Sequence, residues 1–443
     1  MDNLCLGCNA QSHTPVHSGR NAHEIQQQHL VGLFRKSEAA VQINERVTTG
    51  SCRSQQQLVQ RQQQAKRQLQ QQEQSSWNDF GVPQGVNIQK KTFKNIFPIF
   101  CSYENLLTAF IKARKRKTKK EYVKAFEKNL KSNLLTLQWQ LQTGTYKPST
   151  MKTFTIRDPK TRKISASQFR DRVVHHAICN LISPIFQRRF IHDTFANRKG
   201  KGTSAILKRF EFFKQKVGKN GYVLKADIRH YFEEIDKEVL LSILEKRIKD
   251  KRFIDVILII LENHKQGMPL GNLTSQEFAN IYLAELDNFV KHELKIKYYV
   301  RYVDDFIILN KNKKKLEEWK QKISEFLNFN LKISLHKDKT KIIQIRNGVG
   351  LVGFRIFFYH KILKKSNLRR LKIRLLRYRQ GLLDGTISKE HITMSLAGWN
   401  GYARLGNTFN LRNKITRETN GGFAPTEPLA CSRRQSLSIV NMI

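Results

Sequence analysis

Tyr299-Val-Arg-Tyr-Val-Asp-Asp-Phe-Ile-Ile-Leu309 sets two apolar runs, rich in β-branched and aromatic residues, around a central pair of aspartates. That pattern predicts a β-hairpin over 298–309 with Asp304 and Asp305 at its middle. A third aspartate, Asp227, stands at the end of Tyr222-Val-Leu-Lys-Ala-Asp-Ile228, which reads as a short strand. Three carboxylates carried by two neighbouring strands make a hard-oxygen site suited to Mg2+. Two such ions, about 3.5–4 Å apart, lower the pKa of an attacking hydroxyl and stabilise a leaving phosphate. The plainer reading of the same residues is an Asp-Asp turn and a helix N-cap.

Charge narrows the substrate. The 443 residues carry 80 Lys+Arg against 36 Asp+Glu, a net +44, so a polyanion, nucleic acid above all, is the expected partner. With 40% hydrophobic and 10% aromatic residues the chain is not a disordered protein as a whole. No apolar run approaches the ~20 residues of a membrane helix, and no secretory signal is visible. Six scattered cysteines fit reduced thiols, and the expected compartment is the cytoplasm.

The charge is uneven: residues 1–90 carry +3 and the remainder +41. Between Gln55 and Gln74, twelve of twenty positions are Gln, which predicts a disordered extension over 1–90. Cys5, Cys8, His13 and His17 stand near a zinc-knuckle spacing, with unligated thiols as the simpler reading. Beyond Lys91 the pattern is globular. Helices are expected within 103–142, a strand–turn–strand over 154–164 around Asp158-Pro159, and a helix over 170–190 with a bend or boundary at Pro184. Further helices are expected over 239–260 and 278–294, a strand over 351–358, a very basic helix over 368–379, and a loose tail from 416. Mixed helices and strands without a βαβ repeat indicate an α+β fold.

Tyr302-Val-Asp-Asp305 within an apolar hairpin resembles the signature of reverse transcriptases. Ala226-Asp-Ile-Arg-His-Tyr-Phe232, Gln266-Gly-Met-Pro-Leu-Gly-Asn-Leu-Thr-Ser-Gln276, Phe169-Arg-Asp-Arg-Val-Val-His-His-Ala177, Asn197-Arg-Lys-Gly-Lys-Gly202 and Leu351-Val-Gly-Phe-Arg355 resemble further segments of that family in the same order. The resemblance covers roughly 92–415 and implies a right-hand polymerase: fingers at 91–222, palm at 223–358 (with fingers-like helices at 239–262), thumb at 359–415 and a flexible tail at 416–443.

It also implies roles. Asp227, Asp304 and Asp305 would be catalytic and metal-binding, holding two Mg2+ ions or Mn2+ in their place. Lys160 and Arg162 would hold the incoming triphosphate, Phe232 would act as steric gate against a 2′-hydroxyl, and Lys339 would be the acid for the leaving pyrophosphate. Leu270, Gly271, Ser275 and Gln276 would shape the nucleotide pocket. Gly353 and Phe354 would form a turn gripping the primer, and Arg369, Arg370, Arg374 and Arg377 would follow the template–primer duplex. A core position for Phe232 and solvated positions for the basic residues are the plainer alternatives.

Leu270-Gly271 followed by Ser275-Gln276 resembles the pocket loop of reverse transcriptases from diversity-generating retroelements. Leu270 removes a polar contact beside the nucleotide, and weaker base selection follows. The resemblance implies cDNA made with errors opposite template adenines, with RNA, cDNA and dNTPs as partners beside a small basic accessory protein. Alternatives are a retron, group II intron-derived or antiphage-defence reverse transcriptase, and a non-enzymatic RNA-binding scaffold.

Overall fold

The computed structural model describes residues 92–157 and 161–420. Expectations for residues 1–90, for Cys5, Cys8, His13 and His17, for Lys160 and for 421–443 lie outside the described residues.

Four helices come first: α1 (Phe97–Cys101), α2 (Tyr103–Arg114), α3 (Glu121–Lys128) and α4 (Leu130–Gln142). Their apolar stripes (Leu106, Ala109 and Phe110; Leu134, Leu137 and Leu141) are buried together. The hairpin β1 (Lys152–Ile156) and β2 (Arg162–Ala166) follows, with Ile156 opposite Arg162. Then comes α5 (Phe169–Gln187), which runs through Pro184 for three more residues. The expected boundary is displaced because a proline so near the helix end leaves few hydrogen bonds to break.

After α6 (Thr203–Val217), β3 (Tyr222–Ala226) and the single turn α7 (Tyr231–Glu234), the apolar run expected as one helix is two: α8 (Lys237–Glu245) and α9 (Lys251–Glu262). The break has a cause. Phe93 N donates to Arg247 O and Lys249 N to Phe93 O, pulling the backbone extended, and Asp250 restarts the helix as an N-cap. The same carboxylate accepts from Phe97 N at 2.8 Å and so ties α9 to α1.

Next stand α10 (Leu273–Asn288), continued by one π-helical turn over Phe289–Glu293, then β4 (Tyr299–Tyr302), β5 (Asp305–Asn310), α11 (Lys313–Leu331) and β6 (Lys341–Gln344). Strands β4, β5, β3 and β6 form one antiparallel sheet in that order. Period-two alternation divides its side chains. Leu224, Ala226, Phe306 and Ile308 join α10 and α11 in the larger core. Val223, Val300, Ile307 and Leu309 face α6 and a second core. Burying each such side chain is worth ~1.5–3 kcal/mol, so the sheet that carries the aspartates is fixed from both faces.

A three-stranded sheet, β7 (Val349–Leu351), β8 (Phe354–Ile356) and β9 (Lys361–Leu363), closes the second core. The strand expected over 351–358 is thus one arm of a hairpin turning at Val352-Gly353. Three helices end the described chain: α12 (Lys365–Leu383), α13 (Lys389–Ala403) and α14 (Phe409–Asn420). The basic helix is longer than expected, and residues 416–420 are helical rather than loose. The buried stripe of α12 runs through Leu371 and Tyr378, with Leu368 and Leu375 half-buried beside it, and Leu376 is exposed. The architecture is α+β.

Candidate active site

The acidic residues meet where β3 and the β4–β5 hairpin end together. β3 pairs with β5 as far as Ala226↔Phe306, so the next residue, Asp227, arrives beside Asp305, itself paired with Tyr302. Val303 and Asp304 make the two-residue turn, and Val303 holds a left-handed φ of 59°. A β-branched residue there is strained by about 1–3 kcal/mol and persists only where its surroundings enforce it.

Asp227 accepts from Lys339 Nζ at 2.5 Å, and Lys225 Nζ lies 3.8 Å from Asp305 Oδ1. Partial burial pushes the Asp304 carboxyl above the usual range, with Asp227 adding to the rise and Arg162 and Lys339 opposing it. Asp305 is pushed up to about 6, by burial first and by repulsion from Asp304 and Asp227, with Lys225 opposing. Crowded carboxylates of this kind disfavour their own charge until a cation compensates it. An all-carboxylate donor set with that excess fits a hard divalent ion. The expected ligand set is close but not closed: among the described residues no three His, Cys, Asp or Glu side chains converge as an ion site, and the Lys339 ammonium sits on Asp227.

The loop expected to shape a pocket packs against this edge. Gly267 (φ 58°) lies so close to the Phe232 and Glu233 carbonyls that a Cβ would fall 2.3 Å from Phe232 O, and Met268 N donates to that same carbonyl. Phe232 is half-buried with its ring 5.5 Å from Tyr231, so it belongs partly to the core. Ser165 N donates to Leu270 O, which joins the loop to β2. Leu270 is half-buried, Gly271 and Gln276 are exposed, and Ser275 is buried at the start of α10. Arg162 is exposed on β2 and acts electrostatically on Asp304.

Farther along, Gly353 (φ 89°) turns the β7–β8 hairpin; a Cβ there would meet the Tyr402 hydroxyl at only 2.0 Å. Tyr402 OH donates to Val352 O and Asn367 Nδ2 to Gly353 O, so α12 and α13 hold the turn. Phe354, expected in a strand-gripping turn, has its ring fully buried 4.9 Å from Tyr402. Arg369, Arg374 and Arg377 are exposed on α12, while Arg370 is half-buried and donates to Asn367 Oδ1.

Two groups of residues were not singled out by the sequence reading. Ser167, His175, Asn272 and Thr274 form a buried network: Ser167 Oγ donates to Asn272 Oδ1 at 2.9 Å, and His175 joins Ser167 Oγ (3.1 Å) to Thr274 Oγ1 (2.8 Å). It links β2, α5 and the pocket end of α10. Burial lowers the His175 pKa to about 4. The second group is Arg301 and Asp287, a fully buried ion pair beneath the aspartate turn. Its signal was present, since an Arg between Val300 and Tyr302 interrupts an otherwise apolar strand.

A family model described as reverse transcriptase (RNA-dependent DNA polymerase) matches residues 147–367. Those residues are a reverse transcriptase domain. The domain runs from just before β1 to the start of α12 and contains all three aspartates. Protein YkfC of Escherichia coli (strain K12) is 23% identical over 278 residues, covering 52% of this chain and 71% of YkfC. The group II intron-encoded protein LtrA of Lactococcus lactis subsp. cremoris is 25% identical over 291 residues, covering 49% of this chain and 48% of LtrA, so the chain spans about half of that relative. Among solved structures, apo telomerase from Candida tropicalis aligns over 54% of each chain at 14% identity, with a TM-score of 0.39. Among the described residues, no helix is long and apolar enough to cross a membrane.

Proposed function

We propose that the protein copies an RNA template into cDNA as an RNA-directed DNA polymerase. The observation that supports this best is the crowding of Asp227, Asp304 and Asp305 at one sheet edge of the reverse transcriptase domain. These residues would hold two Mg2+ ions, or Mn2+, which when bound activate the primer 3′-hydroxyl and neutralise the departing pyrophosphate.

The chain's own side chains supply the rest. Arg162, with Lys160 near it in sequence, would take the triphosphate of a dNTP. Phe232 would lie under the sugar, where a ring leaves no room for a 2′-hydroxyl. Leu270, Gly271, Ser275 and Gln276 would border the base. Lys339, once released from Asp227, would stand ready to donate a proton to the leaving group. Gly353, through its backbone, and Arg369, Arg374 and Arg377 would contact phosphates of the template–primer duplex, with Arg370 supporting them. In this reading residues 91–222 are fingers, 223–358 palm and 359–415 thumb.

The element served is read from the pocket loop. Leu270 would set a hydrocarbon where a hydrogen-bonding side chain would help select the base, which supports an error-prone enzyme of a diversity-generating retroelement, working with a small basic accessory protein. A second reading, a group II intron-derived enzyme, is supported by the relative LtrA, named as group II intron-encoded. Sequencing cDNA made on a mixed-sequence RNA template, with and without a candidate accessory protein, separates them. The first reading expects errors concentrated opposite adenine; uniformly faithful cDNA would favour the second.

A further inference from the structure

Arg301 is among the largest fully buried side chains of the protein, and it sits on β4 two residues before the left-handed Val303. Its guanidinium is bidentate on Asp287 of α10, Nε to Oδ1 at 2.8 Å and Nη2 to Oδ2 at 2.6 Å. Asp287 accepts two more bonds, from Tyr299 OH at 2.6 Å and Thr194 Oγ1 at 2.8 Å. The carboxylate is thereby saturated and immobile. Its hold leaves Arg301 Nη1 free to reach Asn280 Oδ1 (3.3 Å) and the Val303 carbonyl (2.9 Å). The strand is fixed from its outer side as well: Arg301 N donates to Asp193 O, and Phe195 N donates to Arg301 O.

Stability alone does not explain this arrangement. A buried ion pair loses much of its attraction to desolvation, and apolar side chains of similar size often serve the fold as well or better. What an apolar side chain cannot do is present a third, rigidly aimed donor to the carbonyl of a strained turn. An ammonium cannot do it either, because a point charge lacks the planar fork. Resting on the polymerase reading above, we propose that Arg301, locked by Asp287, is the positioning residue that holds the Val303–Asp304 turn in its left-handed shape and so sets Asp304 against Asp227. Because Asp287 belongs to the helix that begins at the nucleotide-pocket loop, the same clamp ties the pocket to the turn.

The test uses the full chain in three forms: wild type, Arg301→Lys, and the double variant Arg301→Met/Asp287→Leu, each also with Val303→Gly. Thermal midpoint, kcat and KM for dNTP on a primed RNA template, and hydrogen exchange in the peptide spanning 299–309 are measured. The double variant should fold with a lowered midpoint, because Tyr299 OH, Thr194 Oγ1 and the Val303 carbonyl lose their partners, and kinetics are taken well below that midpoint. Its kcat should fall on the order of tenfold to a hundredfold, with KM for dNTP changed by less than about twofold, and exchange at the turn should quicken. Adding Val303→Gly should recover part of the lost kcat, since glycine adopts positive φ without strain.

A folded double variant that keeps kcat within about twofold of wild type, with unchanged exchange, overturns the proposal. Should the double variant not fold, Arg301→Lys decides on the same readouts, and loss of the fold in both assigns the pair a purely structural role. Absence of cDNA from wild type would sink the polymerase reading instead. Exchange at the turn would still judge the clamp, quickened exchange supporting it and unchanged exchange overturning it.

Discussion

Two hairpins face the same acidic edge and are built in opposite ways. The β4–β5 hairpin has Tyr299, Val300, Arg301 and Phe306 through Leu309 buried, with the Arg301–Asp287 ion pair beneath its turn. The β1–β2 hairpin leaves all of β1 exposed, including Phe154 and Ile156, and touches the rest of the protein chiefly through the base of β2, where Ser165 meets Leu270. One is held by two cores and the other stands free. The contrast matches two chemical tasks. Carboxylates that share charge must be fixed to a fraction of an ångström, whereas a basic hairpin that, in the proposed function, would gather a flexible triphosphate would need to be open to solvent and able to move.

The comparison predicts which losses are catalytic and which structural. The largest effect should come from Asp227→Asn, which removes one of the three clustered charges: nucleotide incorporation should drop by on the order of a thousandfold or more in a steady-state assay. Next, Phe306→Ala on the buried hairpin should cost about 3–5 kcal/mol in urea unfolding, and Phe154→Ala on the free one about 0.5 kcal/mol or less. Comparable losses at the two sites would break the contrast.

A pH effect follows for the network at the base of β2. Burial holds the His175 imidazole at about 4, well below the 6.5 usual for histidine. Between those values the unfolded chain binds a proton that the folded chain does not, so stability is full above about pH 6.5 and declines as pH falls towards 4. At pH 5 the loss should reach about 2 kcal/mol, and His175→Asn should flatten that slope in unfolding curves taken across the range. The smallest effect belongs to the free hairpin: Arg162→Ala should raise KM for dNTP about tenfold while leaving the thermal midpoint unchanged.

The buried hairpin was legible in the sequence because both faces of the sheet are covered, which makes Tyr222–Ala226 and Tyr299–Leu309 largely apolar runs, with the aspartates falling at the open edge. Its ion pair was legible only on one side: Arg301 interrupts an apolar strand, but Asp287 lies on a different element, and charges in a chain with 80 basic residues read as surface. Helix breaks were hidden for a related reason. The apolar run from Val239 to Ile260 continues through Ile248, and only the tertiary pairing of Phe93 with Ile248 makes Asp250 a cap. On α12, Leu375 and Leu376 look equivalent in composition, yet a 100° step separates them and Tyr378 takes the inward place.

The most direct test of the central claim is extension of a primer on an RNA template by wild type and Asp304→Asn with Mg2+, alongside their thermal midpoints. The account predicts cDNA from wild type, a loss on the order of a thousandfold in the variant, and midpoints that agree within a few degrees. Equal cDNA from both proteins, or none from a folded wild type, would contradict it.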